Sequence, residues 1–218
     1  MPTRRPLDRD ELRIRNNLLQ MGSMVGSAIE RAVHCLTNQN SELAQQIISQ
    51  DEAINELERK VEEECLITLA TQQPVARELR EILAAMHIAV ELERMADYAA
   101  GIAKIELDLG QRPLPKLMDE IAQMAEQCRA MLSGVLEAYA ERDPEKARAV
   151  AAEDQTLDQR NKQLVGLLLA KLSDDLATAE TVTRLLWVVH HLERVGDRVT
   201  NIAERVVFMT TGAVQELN

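Results

Sequence analysis

Apolar residues recur at steps of three, four and seven along most of the chain, which predicts long amphipathic helices. The first such segment carries Leu12, Leu19, Val25 and Ile29 on one face. Polar turns and prolines interrupt the pattern five times, so six helices are expected. Their predicted ranges are 8–37, 41–73, 75–109, 116–140, 144–172 and 179–209.

Three of the helix boundaries carry recognisable signals. Ser41 is the predicted N-cap of the second helix, and Asp143 is the predicted N-cap of the fifth, with Pro144 at its first position. The segment 110–115 holds one glycine and two prolines, which makes it the clearest break in the chain. It is predicted to be a linker between a first domain at 1–109 and a second at 116–218.

The two halves of the chain are related in sequence. A shift of 100 residues places 92–94 (Leu-Glu-Arg) on 192–194 and Asp97 on Asp197. Earlier in the halves a shift of 103 places Asp51 on Asp154. A duplication explains both shifts. The predicted fold is therefore all-α, with two tandem, sequence-related antiparallel three-helix bundles.

Composition and charge narrow the class of protein. Aromatic residues make up 2% of the chain, which does not suit a β-sandwich or barrel. The formal net charge of -11 argues against a nucleic-acid partner and against attraction to an anionic membrane surface. The apolar runs are shorter than the roughly 18 residues that cross a bilayer, and the three cysteines lie singly, as in a reducing compartment. We expect a cytoplasmic protein that does not span a membrane.

A pair of like charges is repeated in the two halves. Glu93 and Asp97 stand four residues apart on the third predicted helix, and Glu193 and Asp197 repeat this spacing on the sixth. Side chains at this spacing lie on the same face of a helix, and like charges there repel by a few tenths of a kcal/mol. Because this repulsive pair occurs in both halves, we expect a cation to lie between the carboxylates.

The hairpin geometry brings a second polar pair to each of these pairs. If the second and third helices fold back near Pro74, and the fifth and sixth near Asp175, polar residues face one another across each hairpin. The facing pairs are Asp51 with Asp97, Asn55 with Glu93, Asp154 with Asp197, and Asp158 with Glu193. Each half would thus present four oxygen-bearing side chains on adjacent helices.

Such clusters are candidate metal sites. Grouped carboxylates raise one another's pKa unless a cation compensates. Oxygen ligands favour iron, manganese or magnesium over zinc, and bridging carboxylates could hold a multinuclear centre. The competing interpretation is a solvated helix face on which Arg94, Arg194 and Arg198 form ordinary surface ion pairs.

Several motifs resemble the PhoU family, the phosphate-transport accessory regulators of bacteria. They are 73–76 (Gln-Pro-Val-Ala), 78–80 (Glu-Leu-Arg), 91–94 (Glu-Leu-Glu-Arg) with Asp97, 192–197 (Leu-Glu-Arg-Val-Gly-Asp) and 201–202 (Asn-Ile). The resemblance extends from about residue 10 to residue 210. Glu78 stands where the family commonly has Asp, and Met95-Ala96 replaces the usual Ile-Gly. The added methyl group of Ala96 is expected to crowd a close helix contact.

The resemblance implies two three-helix bundles side by side, with metal clusters on the acidic motifs of some members. It also implies a cytoplasmic negative regulator of phosphate homeostasis that couples the ATPase subunit of a phosphate ABC transporter to a phosphate-sensing histidine kinase. We expect no enzyme activity, and a homodimer is possible. The expected metal ligands are Asp51, Asn55, Glu93, Asp97, Asp154, Asp158, Glu193 and Asp197.

Further side chains are expected to steady these carboxylates or to meet a partner: Arg80, Arg94, Arg194 and Asn201. Two other functions stay open from the sequence. A carboxylate-bridged metalloenzyme, either a hydrolase or an oxidase, would need an enclosed pocket and a positioned base. A purely structural helical scaffold would leave the acidic patches empty.

Overall fold

The computed structural model describes residues 5–109, 114–174 and 178–217. Within these ranges the regular structure is helical. The helices are α1 (Arg5–Asn38), α2 (Ser41–Gln72), α3 (Arg77–Asp108), α4 (Pro115–Glu141), α5 (Pro144–Ala152), α6 (Asp154–Asp174) and α7 (Ala179–Thr211). The fifth predicted helix corresponds to α5 and α6 together, so the predicted all-α fold of six long helices is confirmed.

The fifth predicted helix is interrupted at Glu153, a feature that the hydrophobic pattern did not indicate. The backbone N–H of Glu153 donates to Val150 at 3.0 Å, a tighter turn than that of an α-helix. Glu153 keeps right-handed helical angles, with φ -67 and ψ -20, so α6 continues directly from α5. Its first residue, Asp154, therefore lies at a helix start, whereas the equivalent Asp51 lies within the continuous helix α2.

One of the two predicted N-caps is confirmed and one is wrong. Asp143 accepts hydrogen bonds from the backbone N–H groups of Glu145 and Lys146, as an N-cap does. At the second helix the cap is Asn40, whose Oδ1 accepts from the N–H of Leu43 at 3.0 Å. Ser41 is the first residue of α2 instead. Asn and Ser are both good N-caps, so the sequence alone could not decide which of the adjacent residues Asn40 and Ser41 is the cap.

The halves join through two antiparallel helix pairs. In the first pair α3 lies along α7, with Asp108 beside Arg184 and Glu91 beside Arg198. In the second pair α1 lies along α4. Within the halves α2 packs on α1 and α3, while α5 and α6 pack on α4 and α7. The two bundles thus meet about an approximate two-fold axis that exchanges α3 with α7.

A single apolar core runs through both halves. Besides large residues such as Leu92 and Met95, α3 buries several small ones: Ala96, Ala99, Ala100 and Ala103. Short side chains let helix backbones approach closely. The predicted domain boundary at 110–115 stays a prediction, since residues 110–113 lie outside the described ranges. No described helix is both long and apolar enough to cross a bilayer.

Gly22 and Gly26 of α1 provide a matched test of the packing between the halves. A Cβ on Gly22 would collide with Leu136 of α4, whereas a Cβ on Gly26 would lie 3.9 Å from Leu132, an ordinary contact. Helix propensity favours alanine by about 1 kcal/mol, and overpacking costs about 1–3 kcal/mol. Gly26→Ala should therefore raise the free energy of unfolding in urea, and Gly22→Ala should not. Equal effects of the two substitutions would contradict this packing.

Candidate functional site

The first acidic group consists of Asp51 and Asn55 on α2 with Glu93 and Asp97 on α3. Burial raises the pKa of Asp51, and the charge of Asp97 raises it further, while the charge of Lys104 and a hydrogen bond with Asn55 lower it. Burial likewise raises the pKa of Glu93, followed by the charge of Asp97. The repulsion between Asp51 of α2 and Asp97 of α3 agrees with the predicted hairpin register. Glu58, which the sequence reasoning missed, also raises the pKa of Glu93.

The second acidic group consists of Asp154 and Asp158 on α6 with Glu193 and Asp197 on α7. Burial, followed by the charges of the other three carboxylates, raises the pKa of Asp154 to about 6. Burial and the charge of Asp197 raise the pKa of Glu193. The predicted facing pairs therefore lie near one another here too, although the turn residues 175–177 lie outside the described ranges.

The two groups differ at one packing position. In the second group Gly196 leaves room for other side chains, since a Cβ there would collide with Leu157 and would lie 2.7 Å from Asp154 Oδ1. The equivalent residue in the first group is Ala96, which is buried, as is the neighbouring Ile54. Both residues border a cleft of about 290 Å³ beside Asp51. The methyl group of Ala96, which was expected to crowd this contact, is therefore accommodated, and space remains beside it on the α2 side.

Among the predicted accessory residues, the two motif arginines lie close to the carboxylates. Arg194 Nη1 donates to Asp197 at 2.8 Å. The charge of Arg94 lowers the pKa of Glu93, against the larger effect of burial, although its hydrogen bond goes to Glu91 at 3.5 Å.

The other two predicted accessory residues lie elsewhere. Asn201 Nδ2 donates to Glu91 Oε2 at 3.1 Å and so joins α7 to α3. Arg80 lies against Gly212 at the C-terminal end of α7. A cation at that end is favourable, because the carbonyl groups of a helix point there.

The donor atoms of the two acidic groups are of the kind that bind a hard cation, but in this structure they are too far apart to bind one together. All eight predicted ligands offer oxygen, and two of these oxygens, Asn55 Oδ1 and Glu193 Oε2, are buried without a hydrogen-bond partner. His190 Nδ1 lies 3.4 Å from Glu193 Oε2, but without hydrogen-bond geometry. Within the described ranges, no three His, Cys, Asp or Glu side chains are gathered tightly enough to hold one ion. The metal sites therefore stay a prediction, which requires the side chains to converge.

Sequence reasoning missed a polar contact between α3 and α7. Glu91 accepts hydrogen bonds from Arg198 and Asn201, both at 3.1 Å. At the equivalent place in the other half, the ring of His191 lies 5.6 Å from that of Tyr98. The sequence did carry a sign of this contact, because Glu91 and His191 occupy the same position of an otherwise repeated motif and differ in residue type.

A second missed feature is a cleft of about 330 Å³ at the junction of the halves. Its polar lining includes Glu11 and Arg15 of α1, Glu81 of α3, and Arg142 after α4. Burial raises the pKa of Glu11 to about 7, helped by the charge of Glu81. Arg142 binds Glu81 at 2.6 Å. No local spacing could indicate this cleft, because its charged residues come from distant parts of the chain.

The raised pKa of Asp154 predicts a pH-dependent stability. Because this pKa is about 6 in the folded protein and near 3.8 in the unfolded chain, the folded protein binds more protons between these values. Stability is therefore lost as the pH rises from about 4 to about 6. In chelator-treated protein, Asp154→Asn should raise the free energy of unfolding by about 1–2 kcal/mol at pH 7, a value reduced for partial exposure.

The same substitution should give little gain at pH 4, where the native carboxyl group is already protonated. Asp119→Asn, on the exposed face of α4, is the control for loss of a surface charge. Urea unfolding at both pH values measures the difference. A gain from Asp154→Asn that is equal at pH 4 and pH 7 would contradict the assignment.

Comparison with known proteins identifies the family of the chain. The PhoU domain matches it twice, at residues 18–105 and 121–206. A phosphate-specific transport system accessory protein PhoU homolog of Clostridium acetobutylicum is 33% identical over 217 residues, covering 99% of each chain. The homolog of Zymomonas mobilis is 36% identical over 214 residues, covering 96% of this chain and 89% of that protein.

Solved structures agree with this similarity. The crystal structure of PhoU from Pseudomonas aeruginosa matches with a TM-score of 0.89 and 32% identity, covering 94% of this chain and 99% of that one. The phosphate transport system regulatory protein PhoU from Streptococcus pneumoniae matches with a TM-score of 0.90 and 30% identity, covering 96% and 99%. These relatives are named as accessory or regulatory proteins and not as enzymes, in agreement with the expectation. On both sequence and structure, the chain belongs to the PhoU family.

Proposed function

We propose that this protein is an accessory regulator of phosphate transport. In this role it acts in the cytoplasm as a negative regulator, restraining phosphate uptake and phosphate-starvation signalling when phosphate is plentiful. The observation that carries the proposal is the similarity to named phosphate-transport accessory proteins over nearly the full length of both halves. Its proposed partners are the ATPase subunit of the phosphate ABC transporter and a phosphate-sensing histidine kinase, as the family resemblance implies.

An adaptor role is supported by the openness of the acidic groups. Asp97 is exposed, and the other members of both groups are only partly buried on helix faces. A metalloenzyme would need an enclosed pocket that excludes water and leaves one coordination position open. A helix face that is accessible to water suits recognition of another protein better. Self-association as a homodimer stays a prediction.

We further propose that the acidic groups bind hard divalent or trivalent cations. The support is the oxygen-only donor set, the raised pKa values of Asp51, Glu93, Asp154 and Glu193, and the two buried oxygens that accept no hydrogen bond. A bound cation would supply positive charge that offsets the repulsion between facing carboxylates. It would thereby hold α2 to α3, or α6 to α7, and fix the surface that a partner meets.

Deletion of the gene tests the regulatory role. In phosphate-rich medium, loss of a negative regulator should raise phosphate uptake and the expression of phosphate-starvation genes, measured with labelled phosphate and a reporter. Supplying the wild-type gene in trans should restore both to their original level. Unchanged uptake and unchanged reporter expression in the deletion strain would contradict the proposal.

The cation sites are tested by Glu193→Gln combined with Asp197→Asn. This double variant should lose the Mn²⁺ of the second acidic group and keep that of the first, as measured by equilibrium dialysis and elemental analysis, because two of the four oxygen donors of the second group lose their charge. The helical circular dichroism should not change, since both side chains lie outside the apolar core. Asp119→Asn combined with Glu216→Gln removes two exposed charges elsewhere and should keep wild-type Mn²⁺ content. Equal Mn²⁺ content in the two double variants would argue against the site.

A further inference from the structure

Trp187 is the one tryptophan of the chain, and it is 57% exposed on α7. Tryptophan is highly buried on average, because its large ring system buries much apolar area when it is covered. Within the described ranges the indole contacts one other ring, that of His190 at 5.9 Å, edge to face. More than half of its surface is therefore available for contact from outside the chain.

The indole is the first of four rings that cross from α7 to α3, which we call the aromatic row. The ring of His190 lies 6.3 Å from that of His191, and the ring of His191 lies 5.6 Å from that of Tyr98 on α3. The whole chain has four aromatic residues and four histidines, so half of each set lies in this row. Tryptophan and tyrosine at the centre of a surface are typical of binding hot spots.

The aromatic row lies between the two acidic groups. At one end, His190 Nδ1 is 3.4 Å from Oε2 of Glu193, which belongs to the second group. At the other end, Tyr98 directly follows the exposed Asp97 of the first group. The surface thus has aromatic rings at its centre and carboxylates on both sides.

The corresponding surface of the other half has no such row. The shift of 100 residues that relates the repeated motifs places Trp187 on the exposed His87 of α3. It places Tyr98 on Arg198, whose guanidinium group binds Glu91 at 3.1 Å. The row is therefore present on one side of the junction only, and it does not follow from the duplicated fold.

Charge indicates what kind of molecule fits this surface. The first acidic group has three carboxyl groups and the second has four, while the basic side chains acting on them among the described residues are Lys104, Arg94 and Arg194. An excess of negative charge disfavours nucleic acids and anionic membranes. A second copy of the chain would place the same acidic groups against each other, since a two-fold interface pairs identical surfaces.

A basic protein segment matches both features of the surface. Lysine and arginine side chains form charge-assisted hydrogen bonds with carboxylates. The same side chains stack on the faces of aromatic rings, and tryptophan is the most favourable ring for this contact. The exposed indole and the flanking carboxylates are therefore complementary to one and the same kind of partner.

We propose that the aromatic row is a docking surface for a basic segment of a partner protein, with an arginine or lysine of that segment stacked on the indole of Trp187. Other basic side chains of the segment face the two acidic groups. The inference deepens the proposed adaptor role and rests on it, because it assigns the surface that a partner contacts. It requires no bound metal.

The first test measures the affinity of the full-length protein for each proposed partner, the ATPase subunit and the kinase, by surface plasmon resonance. Trp187→Ala should weaken binding of at least one partner on the order of tenfold, as loss of a central aromatic side chain does. Trp187→Phe should recover part of this loss, because it keeps an aromatic face. Helical circular dichroism should not change, since Trp187 lies outside the core.

His87→Ala is the matched control, because His87 is exposed at the equivalent position of α3. It should bind both partners with wild-type affinity. Equal affinity of Trp187→Ala and the wild type for every partner that the wild type binds would overturn the docking surface, while the regulatory role would stand. The wild-type affinity should also fall as NaCl is added, and an affinity independent of salt would overturn the basic character of the segment.

The second test uses the emission of Trp187, which reports on this surface alone because the chain has no other tryptophan. Titration with an arginine-rich peptide that lacks aromatic residues should give a saturable change in this emission at low salt. A glutamate-rich peptide of equal length should give none. An unchanged emission with the arginine-rich peptide, whether or not calorimetry detects binding elsewhere, would overturn the proposal.

The outcomes separate this inference from the proposed function. If the wild-type protein binds neither partner, the proposed partnership is wrong, and the peptide titration still decides whether the aromatic row binds basic segments. A dimer that forms with rising concentration in analytical ultracentrifugation, and that Trp187→Ala dissociates, would overturn the proposal in favour of a second copy of the chain.

Discussion

Close antiparallel packing of α3 on α7 is the constraint on which both acidic groups depend. Each of these helices carries one Glu and Asp pair on an outer face, and each packs its other faces into the common core. The approach is close at Gly101, where a Cβ would lie 2.9 Å from the ring of His191. The contact also fixes polar groups, since Glu91 is held by Arg198 and Asn201. The environment of each acidic group thus follows from the junction between the halves.

Much of this arrangement could be predicted from the sequence. Helix periodicity located the helices to within a few residues, because each buries one long apolar face. The repeated motif at Glu93 and Glu193 revealed the duplication, and hairpin geometry then set Asp51 near Asp97 and Asp154 near Asp197. These inferences depend on short-range spacing and on direct chain connection, which the sequence encodes. The break at Glu153 was missed, since a residue that keeps right-handed helical angles leaves the hydrophobic pattern unchanged.

Contacts between residues that are distant in the chain could not be predicted from sequence spacing. The α7 partners of Glu91 lie more than 100 residues away along the chain, and the cleft around Glu11 combines α1, α3 and the end of α4. Identical arginines in the repeated motif suggested identical roles, but Arg94 bonds to Glu91 whereas Arg194 bonds to Asp197. Duplication made the two halves similar in fold, while Glu91 and His191 made their contacts across the junction different.

The central claim is that a regulator of phosphate transport presents cation-dependent acidic surfaces to its partners. It is tested most directly by the affinity of the purified protein for the ATPase subunit of the phosphate transporter from the same organism, measured by surface plasmon resonance with Mn²⁺ and after chelation. The account predicts saturable binding that weakens at least fivefold on chelation, a factor that corresponds to about 1 kcal/mol. Saturable binding of equal affinity in both conditions would contradict the role of the cation, and no binding in either would contradict the proposed partnership.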